Sequence, residues 1–189
     1  GGLYLMLGDF TGHGLGAAIG ALPVSEVFHT MICKGYDVAS ILANINYKLH
    51  TLLPSGMFLA AVFVAIPPKL DGIQVWNGGL PDALLLDGRD GHIKHRLPSR
   101  NLPLGILKRF KGMPQVEHYP IEQGDYLLLY SDGLIEARDM SGQTMWGEDN
   151  LQRMIDQCPR PEDNFDRIVR ALAEFTQGAE QSDDVSLVG

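Results

Sequence analysis

Residues 3–18 read Leu3-Tyr4-Leu5-Met6-Leu7-Gly8-Asp9-Phe10-Thr11-Gly12-His13-Gly14-Leu15-Gly16-Ala17-Ala18. The apolar run at the start has the composition of a buried strand, and it ends in Gly8-Asp9. Gly12, Gly14 and Gly16 then punctuate a turn that opens a helical pattern. A carboxylate at a strand end, ahead of glycines that let the backbone approach a ligand closely, is well placed to hold a cation or a phosphate. The same device recurs twice. Ser131-Asp132-Gly133 follows the apolar run 126–130, and Asp183-Asp184 immediately precedes Val185-Ser186-Leu187-Val188. A hard cation takes several oxygen ligands, and Mg²⁺ or Mn²⁺ sites combine a few carboxylates with water. Taken singly, each of these aspartates reads as turn chemistry. Taken together, they lead to the expectation that folding gathers Asp9, Asp132 and Asp183 around divalent metal.

The pattern between these points is mixed. Leu15, Ala18, Ile19, Leu22, Val27 and Met31 space out a helix over 15–34, closed by Gly35 and kinked or split at Pro23. A second helix is predicted over 38–52, where Ile41, Leu42, Ile45 and Leu49 share a face and Pro54-Ser55-Gly56 stops the pattern. The continuous apolar run 58–66 predicts a central strand. Strands follow at 72–77, 83–86 and 92–97, with Asp87-Gly88-Arg89-Asp90-Gly91 as a hairpin signal. Residues 98–112 read as a loop carrying the cluster Lys108-Arg109-Phe110-Lys111, which could touch a phosphoprotein partner or be a solvated loop. Strands are predicted at 116–121 and 126–131, joined at Gln123-Gly124-Asp125. Amphipathic helices are predicted at 149–157 and 163–176, the second with Phe165, Ile168, Val169, Leu172 and Phe175 on one side. Strands grouped in the middle, with helix pairs near each end, predict an α+β fold: an antiparallel two-sheet β-sandwich flanked by helix pairs.

Composition narrows the classes. With 189 residues, 45% of them hydrophobic and 20% charged, the chain can build a substantial core and reads as a single domain. A net charge of −8 argues against a nucleic-acid surface, which needs a basic stripe. The longest apolar stretch, 57–66, falls far short of the roughly 20 residues that span a bilayer. Cys33 and Cys158 are widely spaced, show no disulfide or zinc pattern, and are expected to be reduced thiols in a cytoplasmic protein. The start at Gly1-Gly2 leads to the expectation that the chain is part of a longer one.

Gly8-Asp9-Phe10-Thr11-Gly12-His13-Gly14 followed by Ala17-Ala18 resembles the G-D-x-x-G-x-G-x-x-A-A signature of the metal-dependent protein phosphatases (PPM, type 2C). The likeness is greatest to their bacterial stage-II-sporulation-E-like branch. Residues 76–81 (Trp76-Asn77-Gly78-Gly79-Leu80-Pro81), 102–106 (Leu102-Pro103-Leu104-Gly105-Ile106), 130–137 and 183–188 resemble that branch's later motifs in order, so the resemblance covers nearly the whole chain. It implies a site for two ions, Mn²⁺ or Mg²⁺. Asp9 would bridge them, the backbone carbonyl of Phe10 would bind one, and Asp132 and Asp183 would complete the ligands, with Asp184 the second choice beside Asp183. A water activated between the ions would attack phosphorus in line with the serine or threonine oxygen. Asn77, Gly78 and Gly79 could line the substrate cleft or simply make a turn. His13 does not occupy the position of the histidine proposed as general acid in eukaryotic relatives, which is Thr11 here; a capping or packing role is expected for it.

The resemblance further implies a phosphoserine/phosphothreonine phosphatase in bacterial signalling. It would be the C-terminal output domain of a longer regulator, with a receiver or sensor domain upstream and an acidic G-G-D-x-x-D strand before that of Asp9. An anti-sigma-factor antagonist would be the phosphoprotein substrate, and a homodimer is compatible with this reading. The rival reading is a catalytically inactive pseudophosphatase that binds a sigma factor or its regulator as an adaptor.

Overall fold

The computed structural model describes residues 2–12, 15–69, 71–179 and 183–189, and at 15–18 the backbone alone. The chain divides into two compact units, residues 1–80 with 99–120 and residues 81–98 with 121–189. Each is built on its own four-stranded antiparallel sheet, and the α+β class with two antiparallel sheets and helices is as expected.

In the first unit the strands are β1 (Leu3–Phe10), β2 (Leu59–Ile66), β3 (Ile73–Gly78) and β6 (Glu117–Tyr119), in the order β1-β2-β3-β6. Strand β1 runs three residues past the predicted apolar stretch, because Gly8, Asp9 and Phe10 continue in register opposite Ala61, Ala60 and Leu59. Strand β2 is apolar on both faces. Leu59, Ala61, Phe63 and Ala65 join a core with the helices, while Val62 and Val64 on the opposite face are equally buried. That explains a continuous run where a half-exposed strand would alternate.

Two helices cover this sheet. Helix α2 (Val38–Leu52) starts where the Asp37 carboxylate accepts the Ser40 N–H at 2.8 Å, a side-chain N-cap. It buries Val38, Ile41, Leu42, Ile45 and Leu49, the predicted face with one residue added. Helix α1 (Leu15–Cys33) passes through Pro23 as one element and is not split there. It ends at Gly35, where Tyr36 N–H donates to the Met31 carbonyl and Gly35 N–H to that of Ile32, a Schellman closure. Its buried face differs from the predicted stripe. Val24, Val27, Phe28, Met31 and Ile32 pack on the core, whereas Ile19 and Leu22 are exposed. The spacing i, i+3, i+4, i+7 that matters begins after the proline, so including Ile19 and Leu22 rotated the expected face.

The second unit contains β4 (Ala83–Leu86), β5 (Ile93–Leu97), β7 (Tyr126–Tyr130) and β8 (Leu187–Val188), in the order β5-β4-β7-β8. The hairpin at 87–91 forms as its turn residues require, with Asp87 N–H donating to His92 and Gly91 N–H to Asp87. Strands β6 and β7, consecutive in the chain, lie in different sheets, so the segment at 123–125 is not a hairpin. Helices α3 (Asp132–Glu136), α4 (Gly147–Asp156) and α5 (Asn164–Phe175) supply Leu134, Leu151, Ile155 and Ile168 to a core with Leu84, Leu86, Leu128, Tyr130 and Trp146. On α5 the buried stripe runs through Ile168, Ala171, Leu172 and Phe175. Phe165 and Val169, predicted on the same side, are exposed at its margin. Cys33 is exposed and Cys158 buried, both as free thiols. Among the described residues no helix is long and apolar enough to cross a membrane.

Asp125 ties β5 to the turn before β7. Its carboxylate, only 4% exposed, accepts from Lys94 Nζ at 2.8 Å and from the N–H groups of Glu122 and Gly88. Burial pushes its pKa up, but the Lys94 ammonium and the two backbone donors together outweigh this and hold the carboxyl below its usual range. A depressed carboxyl contributes stability above its unfolded pKa and loses it as pH falls through the folded one. Asp125→Asn is therefore expected to lower the thermal midpoint at neutral pH. The gap to the parent protein should close on acidification below the ordinary carboxylate range, measured by circular dichroism melts across pH.

Candidate metal centre

The end of β7 organises the acidic residues of the second unit. Ser131 is the residue before α3 and has the extended backbone of an N-cap, yet its hydroxyl does not cap the helix. It donates instead to the Asp184 carbonyl at 3.1 Å and accepts the Ser186 N–H at 2.9 Å, while Ser131 N–H donates to the Ser186 carbonyl at 3.0 Å. These three bonds extend the β7–β8 pairing of Leu129 with Val188 and Tyr130 with Leu187 by one step. They pin the strand carrying Asp183 and Asp184 beside Asp132. Gly133 permits the approach, since a β-carbon there would lie 2.3 Å from the Asp184 carbonyl oxygen. Any side chain would force the two segments apart.

The outcome is a pair of carboxylates. Oxygens of Asp132 and Asp183 lie within 4.8 Å of one another, Asp132 half-buried and Asp183 exposed. One oxygen of each is oriented by a backbone donor: Gly133 N–H on Asp132 Oδ1 at 3.0 Å and Asp184 N–H on Asp183 Oδ1 at 2.8 Å. Asp184 takes part through its main chain, and its side chain is outside the pair. Just before the site, burial raises the Tyr130 phenol far above its usual range, so this residue contributes no charge. Two like charges this close repel. A fold that holds them together with hard oxygen donors partly open to solvent suits Mg²⁺ or Mn²⁺, which keep waters in their shells.

In the first unit Asp9 is the penultimate residue of β1, opposite Ala60. The chain beyond it is fastened at Thr11. Thr11 N–H donates to the Phe58 carbonyl at 3.0 Å, Thr11 Oγ1 donates to the same carbonyl at 3.3 Å, and Phe58 N–H donates to Thr11 Oγ1 at 2.9 Å. Phe10 is therefore held between a strand pair and a clamp, and its ring packs into the core under α1 and α2. His13 and Gly14 lie outside the described residues.

Asn77 and Gly78 are the last two residues of β3, paired with Val62 and Ala61, and Gly79 follows with a left-handed φ of 95° as the chain leaves the strand. The Asn77 carbonyl accepts both the backbone N–H and the side-chain amide of Asn101, and Gly79 N–H donates to Ser99 Oγ. The segment 99–104 is thereby laid along the sheet. On α2, the buried Asn46 donates to the Leu107 carbonyl and accepts Gly105 N–H, and His50 Nδ1 bonds the Gly105 carbonyl. Since a carbonyl only accepts, His50 carries its proton on Nδ1. The sequence reading missed Ser131, Thr11 and Asn46 as the groups that position these segments. Ser131 stood in the strand-end motif Ser131-Asp132-Gly133, where attention went to the carboxylate beside it.

Two antiparallel four-stranded sheets with helices make an α+β architecture shared with solved PP2C domains. The sequence model of the family described as Stage II sporulation protein E (SpoIIE) matches residues 1–189, and the chain belongs to that family, the SpoIIE-like branch of the PPM phosphatases. It is 26% identical over 132 residues to the phosphoserine phosphatase RsbP of Bacillus subtilis (strain 168), covering 68% of this chain and 32% of the relative. It is 21% identical over 186 residues to the phosphoserine phosphatase RsbU of the same organism, covering 97% of this chain and 54% of the relative. The chain thus spans between a third and about half of these relatives. The SiaA-PP2C domain of Pseudomonas aeruginosa shares the fold, with a TM-score of 0.80 at 19% identity over 98% of this chain and 74% of that one.

Ser131→Ala removes a donor and an acceptor from a buried junction, and each loss leaves a backbone group without its partner. The variant is expected to be less stable by about 1–3 kcal/mol, measured by urea denaturation. Backbone amide exchange should accelerate at Ser186 before it does in α4.

Proposed function

We propose that this chain is the catalytic part of a divalent-metal-dependent phosphoprotein phosphatase acting on phosphoserine or phosphothreonine in bacterial signalling. The observation that carries the proposal is the Asp132–Asp183 pair, with carboxylate oxygens within 4.8 Å of one another on segments joined through Ser131, in a chain matched along its whole length by a phosphatase family. Asp9, on the clamped end of β1, is the third carboxylate in this reading; with the Phe10 carbonyl as a further oxygen ligand it would help hold two ions. Such ions, Mn²⁺ or Mg²⁺, supply a nucleophile from water at neutral pH and offset charge on the transferring phosphoryl group.

The chain's own residues have distinct tasks. Asp132 and Asp183 each turn one oxygen to a backbone donor, which fixes the direction of the other. Ser131 and Gly133 keep the two acids in register. Rigid placement of this kind lets charge act in the transition state without reorganisation. The names of the two relatives, both phosphoserine phosphatases, support a phosphoserine substrate. In this proposal the substrate is a phosphorylated anti-sigma-factor antagonist. The 189 residues are a single phosphatase domain, the output part of a cytoplasmic regulator with a receiver or sensor domain upstream.

The test is turnover of p-nitrophenyl phosphate and of a phosphoserine protein by the parent protein. Activity is expected with Mn²⁺ and is expected to vanish with EDTA. Asp132→Asn and Asp9→Asn should each lower kcat/KM on the order of a hundredfold or more, the scale seen when one electrostatic group leaves an active site. Calorimetric Mn²⁺ binding should weaken in parallel. Full metal binding without turnover would turn the reading to the pseudophosphatase adaptor.

A further inference from the structure

The segment Lys108-Arg109-Phe110-Lys111 places three of the chain's 15 Lys and Arg side chains within four residues of a protein whose net charge is −8. All three cations are exposed, and none has an ion pair among the described residues. Lys48, Arg89, Lys94, Arg100 and Arg160 sit against carboxylates, and the remaining cations are scattered singly along the chain, so 108–111 is set apart by clustering.

The ridge is held in place at two points. The Leu107 carbonyl accepts from the buried Asn46 at 2.8 Å, and the Phe110 ring meets Trp76 edge-on at 6.4 Å between centroids. With Phe110 turned inward, the cations on either side are fixed as a group. Beside them lies a shallow cavity of about 330 Å³ lined by Ala43, Asn44, Tyr47, Arg109, Phe110 and Gly112. Its lining is apolar as well as basic through Tyr47, 49% exposed, and Ile106, Leu107 and Met113 beside the cluster in sequence are exposed as well.

We propose that this face docks an acidic, leucine-type apolar segment of the phosphoprotein on which the enzyme acts. The carboxylates of that segment would lie on Lys108, Arg109 and Lys111, and an apolar side chain would enter the cavity beside Tyr47. Charge complementarity selects the occupant. Unpaired cations clustered on an otherwise acidic surface attract acidic protein, raise its rate of encounter and fix its register. A nucleic acid would meet three cations and be repelled by the rest of the chain. The inference rests on the phosphoprotein-phosphatase reading for the identity of the partner, whereas the docking itself is independent of turnover.

Fluorescence anisotropy tests it on the 189-residue chain in EDTA, with a labelled peptide rich in glutamate and leucine and carrying one phosphoserine. Binding is expected, weakening as salt rises, and absent when the glutamates are replaced by glutamine. The reversal K108E/R109E/K111E should weaken it at least about tenfold, and the neutral K108A/R109A/K111A should weaken it less. The scattered reversal K34E/K69E/R170E makes the same change in net charge and should leave most of the binding. Equal loss in the scattered variant, no binding by the parent chain, or tighter binding of polyuridylate than of the peptide would each overturn the docking proposal. If the peptide docks at the ridge while the parent protein turns over no phosphoserine substrate with Mn²⁺, the docking stands and the phosphatase reading falls. If it is hydrolysed with a KM indifferent to the ridge, the reverse holds. Circular dichroism melts matching the parent chain show that the variants are folded.

Discussion

Carboxylates repel, and the backbone around residues 131–133 and 183–186 has to hold two of them within 4.8 Å, with no cationic side chain bonded to Asp132 among the described residues. The two segments are joined there by neutral groups: one serine hydroxyl used twice, the Ser131–Ser186 main-chain bond and the missing side chain of Gly133. Neutral positioning keeps the negative field intact and the oxygens available. Everything else in the second unit supports that junction. The core of α3, α4 and α5 fixes β7, and β7 carries Ser131.

The first unit solves a related problem with the same kind of group. Thr11 closes the end of β1 on Phe58, and Asn46 reaches from α2 to hold the loop around Gly105 and Leu107. Both are uncharged side chains that satisfy backbone donors and acceptors where regular pairing stops. Such ties are directional and insensitive to salt, unlike surface ion pairs. The segment after Asp9 and the loop bearing Lys108 to Lys111 are therefore held by geometry that ionic conditions leave unchanged.

Local signals made much of this readable. The spacing of Ile41, Leu42, Ile45 and Leu49 and the stop at Pro54-Ser55-Gly56 define α2, the glycine-rich turn at 87–91 defines a hairpin, and the continuous apolar run marks β2. The strand-end acids Asp132 and Asp183 were legible because each sits between an apolar run and a change of direction. What the sequence concealed depends on long-range pairing. Nothing within residues 120–125 says that β6 joins β3 and β7 joins β4, since the turn chemistry would serve a hairpin equally well. Helix α3 hides behind the apolar strand it extends. The buried faces of α1 and α5 shift by part of a turn because tertiary packing, and not periodicity alone, decides which margin is covered. The role of Ser131 was hidden because its hydroxyl works on a segment more than fifty residues away.

The chain leaves the first unit after Leu80, returns at Ser99 and leaves again after Pro120, so the two units are interleaved along the sequence. This gives the order of assembly a direction. During synthesis β3 can acquire its partner β6 once residue 119 has emerged, and the first sheet is then complete. The β4–β5 hairpin, already made, waits for β7, and β7 in turn waits for Leu187 and Val188. Closure over such separations is slow compared with helix or hairpin formation. A nascent chain therefore matures from its beginning toward its end, and the paired acids come together only when the final strand zips into place.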